Sequence, residues 1–331
     1  MSSVLICFGT RPEWIKVKPV AERLKNVKLL FTGQHPDLLN DIKTDYRINI
    51  GNSTNRLDQI ISDCLMQFPD DEFEYVLVHG DTVSALACAL AAYARGIKIG
   101  HIEAGLRSYN LNAPYPEEGY RQMISRIASI NFAPTKLSAS YLEEEKVAGK
   151  IYVVGNSVLD SIKSMQSKTS YSNKVLVTLH RWENHKLMGQ WFTALEIIAN
   201  KHPELEFYIP LHHNPNVQKH KSIFKKVNII PALSHDKLIE LMAESKFIIT
   251  DSGGLQEEGT FLDKKVIVCR DVTERPEGIT SGHLHLCLSP SKLEALLEEI
   301  NSNYIINVSK TKGCVYGDGD TADKIHKILS T

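Results

Sequence analysis

The sequence has no long apolar run, no excess of either charge, no closely paired cysteines and no internal repeat. Its apolar stretches fall well short of the ~18 residues a membrane-crossing helix needs, so no membrane span is expected. Lysine and arginine together number 38 against 39 aspartates and glutamates, a net charge of -1. Without a basic excess, nucleic acid is not expected as a partner. The first strand-like run, 4–8, follows neither a charged leader nor a small-residue cleavage site, which points to the cytoplasm. Six cysteines, Cys7, Cys64, Cys88, Cys269, Cys287 and Cys314, never form a CxxC pair. They read as small buried hydrophobes in a reducing compartment, not as metal ligands or disulfides.

What is present fits a globular protein. The chain has 331 residues, 43 % hydrophobic and 23 % charged, enough for two ordinary domains with a substantial core. Short β-branched runs alternate with longer amphipathic stretches, the pattern of a parallel α/β sheet. The first half carries strands at 4–8, 28–31, 75–79, 98–102, 130–132 and 151–154. Helices lie between them, clearest at 14–24, 82–93 and 116–127. The polar stretch 164–173 reads as a linker. A second series follows, with strands at 175–179, 207–210, 227–230, 247–250, 266–269 and 285–288, and helices near 187–200, 236–243, 255–261 and 291–300. A last helix, 321–329, is expected to be capped from the turn Gly317-Asp318-Gly319. The expected organisation is a domain at 1–163, a linker at 164–173, a second domain at 174–314 and the final helix within 321–331. Two doubly wound halves would hold a ligand between the carboxyl ends of their sheets, in a cleft between the domains.

The residues that bear chemistry follow these strands. Gly9-Thr10-Arg11-Pro12-Glu13, with Lys16 a turn later, is neither a Walker loop nor a GxGxxG. It offers a helix start for an anion, or simply a strand-to-helix turn with surface cations. Val78-His79-Gly80-Asp81-Thr82 and His101-Ile102-Glu103-Ala104-Gly105-Leu106-Arg107 each put a carboxylate at the mouth of the sheet. Asp81 could equally be a helix N-cap, whereas Glu103, between a buried strand and a glycine turn, needs a partner. In Pro116-Glu117-Glu118-Gly119-Tyr120-Arg121, acidic residues suit a first helical turn, and for Glu118 that reading is strong. His180-Arg181-Trp182-Glu183-Asn184 and His212-His213-Asn214-Pro215 follow strands of the second half. Adjacent histidines rarely share one ion, and no metal site is expected there. In Thr250-Asp251-Ser252-Gly253-Gly254-Leu255-Gln256-Glu257-Glu258, Ser252 and the glycines let a diphosphate approach, and Glu258 could grip ribose hydroxyls. Arg270 and the segment Thr273-Glu274-Arg275 add cationic charge. Together these residues describe an anionic, ribose-bearing ligand opposed by carboxylates.

In this order, GTRPE, VHGDT, HIEAGLRS, PEExxR, HRxEN, HxNP, TDSGGxQEE and RDxTERPE resemble the non-hydrolysing UDP-N-acetylglucosamine (UDP-GlcNAc) 2-epimerases. The likeness runs from Val4 to the YGDG turn near the end. It implies a glycosyltransferase-B type fold of two Rossmann-like domains, with the final helix returning to the first. It also implies a homodimer, a UDP-sugar substrate and no cofactor or metal. Carried over by position, Asp81, Glu103 and Glu117 become the proton-transfer carboxylates, with His180 assisting at the leaving UDP. Arg11, Lys16, Arg121 and Arg275 become substrate-binding charges, Ser252, Gly253 and Gly254 the diphosphate loop, and Glu258 the ribose acid. A second, effector-like site would draw on Gln34, Glu118, Arg181 and His212. Trp182 stands where relatives usually carry arginine, and the chain is shorter than typical members. The expected reaction interconverts UDP-GlcNAc and UDP-ManNAc through a 2-acetamidoglucal. Its rivals are a hydrolysing epimerase, an epimerase of a 3-substituted UDP-sugar, a glycosyltransferase and a non-catalytic nucleotide-sugar sensor.

Overall fold

A computed structural model describes residues 3–35, 42–211, 214–271, 273–304 and 313–331. It divides the chain into unit 1, Met1–Ser161 with Tyr316–Thr331, and unit 2, Ile162–Val315. In unit 1, strands β1 (Val4–Phe8), β2 (Val27–Phe31), β3 (Tyr46–Arg47), β4 (Tyr75–His79), β5 (Lys98–Ile102), β6 (Ile130–Ala133) and β7 (Lys150–Val153) form one sheet. Its order is β3-β2-β1-β4-β5-β6-β7, parallel at every pairing. Helices α1 (Arg11–Arg23), α2 (Arg56–Met66), α3 (Val83–Ala94), α4 (Glu117–Ile127) and α5 (Lys136–Glu144) connect the strands, and α6 (Val158–Ile162) ends the first pass through the unit.

Unit 2 repeats the scheme with β8 (Lys174–Thr178), β9 (Glu206–Pro210), β10 (Asn228–Ile230), β11 (Phe247–Thr250), β12 (Lys265–Val268) and β13 (Leu284–Leu286). They run parallel in the order β10-β9-β8-β11-β12-β13. Helices α7 (Met188–Lys201), α8 (Pro215–Gln218), α9 (His235–Glu244), α10 (Gly253–Phe261), α11 (Pro276–Thr280) and α12 (Leu293–Ser302) accompany them, and α13 (Thr321–Leu329) belongs to unit 1. Counted from its own first strand, each unit follows the doubly wound 3-2-1-4-5-6 order, unit 1 having one strand more. Strand order reverses between β1 and β4 and again between β8 and β11. Those reversals are where such sheets open a crevice at their carboxyl ends.

Parallel strands covered on both faces read as continuous apolar runs, and β1 (VLICF) is buried at all five positions. Helix α3 (VSALACALAAYA) is apolar almost all round, because it is packed among α2, α4 and the sheet rather than lying on the surface. Its small residues allow a close approach. A Cβ on Gly9, just past β1, would lie 2.0 Å from Ser84 Oγ on α3 and 2.3 Å from Thr32 Oγ1. Only glycine fits there.

Three local readings need correction. β3 carries no run of its own: its two residues pair with Leu30 and Phe31, too short a segment for a period to show. The stretch 164–173 lies within unit 2, where Lys163–Lys168 is a 3-10 helix. There the amides of Ser170 and Ser172 donate to the carbonyls of Ala243 and Glu244, at 2.9 and 3.0 Å. Helix α13 is not capped by its preceding glycine turn. Its N-cap, Asp320, makes no side-chain capping bond among the described residues. Instead Asp160 of α6 accepts from the amides of Thr321 and Ala322 at 3.1 and 2.8 Å.

Candidate active site

At the reversal in unit 1, the turn after β1 is closed by the protein's own carboxylate. Thr10 and Glu13 form a capping box. Glu13 Oε2 accepts from the amides of Gly9 and Thr10, at 3.0 and 2.8 Å, and from Thr10 Oγ1. These amides are therefore not open to a ligand anion, which corrects the expectation for this helix start: Glu13 already fills it. Burial pushes the Glu13 acid up, and bonds from Thr82, Gly9 and Thr10 oppose that. Arg11 is exposed at the first position of α1.

Lys16, expected on substrate, pairs with Glu103. Asn156 Nδ2 also donates to Glu103, at 3.1 Å, and His79 Nε2 lies 3.4 Å from it. Glu103 directly follows β5 with φ at 63°, a left-handed conformation that a residue with a Cβ adopts rarely. Asp81 directly follows the end of the neighbouring strand, after Gly80 with φ at 65°. It is not the N-cap of α3: Thr82 caps that helix, its hydroxyl accepting from Ala85 N at 3.0 Å. Asp81 is paired with Arg121 of α4. Lys16 and Arg121, both expected to bind substrate, thus each neutralise one candidate carboxylate.

Glu117 and Glu118 open α4. Glu118 is fully buried. It accepts from the amides of Ser108 and Tyr109, at 3.0 and 3.1 Å, from Gln122 and from Arg121 Nη1. Thus it holds the 108–109 backbone onto α4. Gln34, also expected at an effector site, accepts from Ser84 Oγ at 2.7 Å, beside α3's start.

At the reversal in unit 2, the organising group is Asp251, which is fully buried. It accepts from the amides of His180 and Arg181 at 3.0 Å and from Asn184 Nδ2 at 3.0 Å. This fixes the loop after β8, leaving the His180 side chain about a third exposed, at 37 %. Across the reversal, α10 starts at Gly253 with Ser252 as N-cap, and Ser252 makes no side-chain capping bond among the described residues. Helices α1, α3 and α9 are all capped by threonine or serine. Unlike them, the α10 start keeps no side-chain cap of its own, the condition under which a helix end can receive an anion. Arg275 crosses it so closely that a Cβ on Gly253 would lie 2.9 Å from Arg275 Nη1, whereas one on Gly254 would meet no described atom within 4 Å.

Arg275 is buried and donates to Glu257 and Glu274, and Arg270 also donates to Glu274. Burial, with the charges of Arg181 and Arg275 nearby, pulls Arg270 below its ordinary value. Arg181 and Arg275 thus stand near Arg270, and Arg275 itself lies across the helix start. Glu258, one turn along α10, accepts from or shares a proton with His235 Nε2 at 2.7 Å. His212 lies outside the described residues, and among those described no group of three His, Cys, Asp or Glu side chains could hold a metal ion.

Several of these groups escaped sequence reading. Thr10-x-x-Glu13 is a capping-box spacing, a signal that was present and pointed to Glu13. Asn156 and His235 reach Glu103 and Glu258 across 53 and 23 residues, with no local pattern to announce them.

Two doubly wound units, one with paired carboxylates at its strand reversal and one with an open helix start at its own, define a two-domain Rossmann-like protein of the glycosyltransferase-B type. The glycotransferase of kitacinnamycin shares that fold at a TM-score of 0.66 and 10 % identity, a likeness of architecture only. A family model described as UDP-N-acetylglucosamine 2-epimerase matches residues 20–330, and the chain belongs to that family. It is 37 % identical to the UDP-N-acetylglucosamine 2-epimerase of Campylobacter jejuni, over 99 % of this chain and 97 % of that one. Among solved structures, the UDP-GlcNAc 2-epimerase of Neisseria meningitidis bound to UDP-GlcNAc matches with a TM-score of 0.87 and 33 % identity, covering 99 % of each chain. The Staphylococcus aureus MnaA–UDP co-structure matches with a TM-score of 0.90 and 31 % identity, covering 100 % of this chain and 96 % of that one. Among the described residues, no helix is long and apolar enough to cross a membrane.

Proposed function

We propose that this protein interconverts UDP-GlcNAc and UDP-ManNAc by eliminating and re-adding UDP. The observation that carries the reading is the two carboxylates, Asp81 and Glu103, after the adjacent strands β4 and β5 beside the switch point, each matched by its own cation. A transferase of the same fold has no need of such a pair.

C2 of the sugar is not next to a carbonyl, so its proton is released only as the anomeric bond breaks. The C1–O bond electrons leave with UDP. Positive charge grows at C1, and a carboxylate takes the C2 proton, leaving the C1–C2 double bond of 2-acetamidoglucal. A second carboxylate gives a proton to the other face of C2 while UDP adds back at C1. Asp81, Glu103 and Glu117 are the candidates for these transfers, with His180 at the leaving diphosphate. The α10 start with Ser252, Gly253, Gly254 and Arg275 would bear the diphosphate charge, and Glu258 the ribose. No redox step occurs, and neither metal nor nicotinamide is required by this chemistry.

Incubation with UDP-GlcNAc in deuterated water tests it. The expected outcome is an equilibrium mixture of the two UDP-sugars with deuterium at C2 of UDP-ManNAc. Accumulation of free N-acetylmannosamine and UDP would identify a hydrolysing enzyme. Product that keeps its C2 hydrogen would reject an exchangeable base.

A further inference from the structure

Asp81 lies between two residues, each tied to a different element. Ahead of it, Gly80 is held at both ends of its peptide by β5. Its amide donates to Ile102 O at 2.9 Å, and its carbonyl lies 2.8 Å from His101 Nε2. Behind it, the Thr82 hydroxyl donates to Glu13 Oε1 at 2.6 Å, while Thr82 caps α3. The Asp81 side chain itself meets Arg121 of α4. His101 reaches α4 as well: its Nδ1 lies 3.2 Å from Ser125 Oγ, one turn beyond Arg121.

Both buried groups have their chemistry fixed by these partners. A carbonyl can only accept, so His101 Nε2 carries the proton and Nδ1 accepts from the Ser125 hydroxyl. His101 is fully buried, and that burial lowers its pKa to about 3, so it stays neutral where the enzyme works and is unsuited to trade protons. Glu13 uses both carboxylate oxygens as acceptors for the turn after β1 and for Thr82. Neither group is spent on a ligand.

We infer that His101 and Glu13 are positioning residues that hold the Asp81 turn from opposite sides, making Asp81 a pre-set proton-transfer group. The assignment of Asp81 to proton transfer rests on the function proposed above. The reason such fixing matters is geometric, since displacement of a reacting group by about 1 Å can cost about a hundredfold in rate.

The test uses His101→Phe, which keeps the ring volume but removes both bonds, and His101→Gln, whose amide nitrogen can still reach Gly80 O. Thr82→Val and Thr82→Ser form a parallel pair on the Glu13 side. Turnover of UDP-GlcNAc, UDP affinity by calorimetry and hydrogen exchange of the 80–86 backbone are measured for each. The Phe and Val variants are expected to lose about thirtyfold or more in kcat with KM and UDP affinity within about twofold, because the proposed UDP contacts belong to unit 2. Their 80–86 exchange should speed up, and Gln and Ser should restore most of the loss in both. Phe and Val variants that bind UDP normally yet keep native kcat and native exchange would overturn the inference. So would Gln and Ser variants that recover nothing. Exchange needs no turnover, so it decides the clamp even if wild-type protein fails to epimerise UDP-GlcNAc, a result that would sink the proposed function instead.

Discussion

At the scale of single residues, the carboxylates separate by what surrounds them. Glu13, Glu118 and Asp251 are buried and receive backbone amides. Asp81 and Glu103 face cations at the strand ends. Replacing Asp81 by Asn, Glu103 by Gln or Glu117 by Gln should therefore lower kcat by about a hundredfold or more, with UDP affinity by calorimetry nearly unchanged. Native turnover in all three would return these carboxylates to a structural role. His101 supplies a pH test. Its folded pKa, about 3, lies below the ordinary 6.5, so between these values the unfolded chain holds more protons than the folded one. Stability from this group is complete above pH 6.5 and is lost as pH falls, by about 2 kcal/mol at pH 5. Arg107, His79 and Glu103 also act on it, burial being the largest cause. Urea unfolding should show the stability advantage of wild type over His101→Gln narrowing by about 2 kcal/mol from pH 7 to pH 5. An unchanged gap would mean that His101 titrates normally. From sequence, the carboxylates at strand ends were legible because a charge after a buried run must have a use. Their partners were not, since Arg121 meets Asp81 across 40 residues and Lys16 meets Glu103 across 87.

At the scale of elements, strands were the most legible part. Parallel strands buried on both faces leave uninterrupted apolar runs, and β1, β4, β5 and β11 begin and end where those runs do. Helix ends were less legible where the capping group arrives from elsewhere in the chain, as Asp160 does for α13. The start of α10, which has no side-chain cap among the described residues, is the helix end on which the proposed diphosphate binding rests. Gly253→Ala would place a methyl 2.9 Å from Arg275 Nη1 and push that guanidinium off the helix end. UDP affinity is expected to fall about tenfold, while thermal stability changes little. Calorimetry with unaltered UDP affinity would show that Arg275 does not need its present position.

At the scale of the molecule, the chain leaves unit 1 after Ser161 and re-enters it at Tyr316. Ala322, Ile325 and Leu329 of α13 complete a core with Val4, Ile6, Val17 and Val20. The two-unit plan was legible from two series of strands, but the place of α13 came only from family resemblance, since a nine-residue amphipathic helix fits many surfaces. Ile325 is wholly buried, so Ile325→Ala should cost about 3 kcal/mol. Limited proteolysis should show new cleavage in unit 1 while unit 2 stays resistant. Cleavage confined to unit 2 would contradict this packing.

The return of α13 also sets an order of assembly. Residues 316–331 leave the ribosome after every strand of unit 2. Unit 2, continuous in sequence, can finish its sheet during translation, whereas unit 1 waits with the apolar patch for α13 uncovered. A message cut just before codon 316 would thus yield one sound Rossmann unit and one exposing the patch built from Val4, Ile6, Val17 and Val20. Chaperones and proteases would meet the first-made half of this protein as its last to mature.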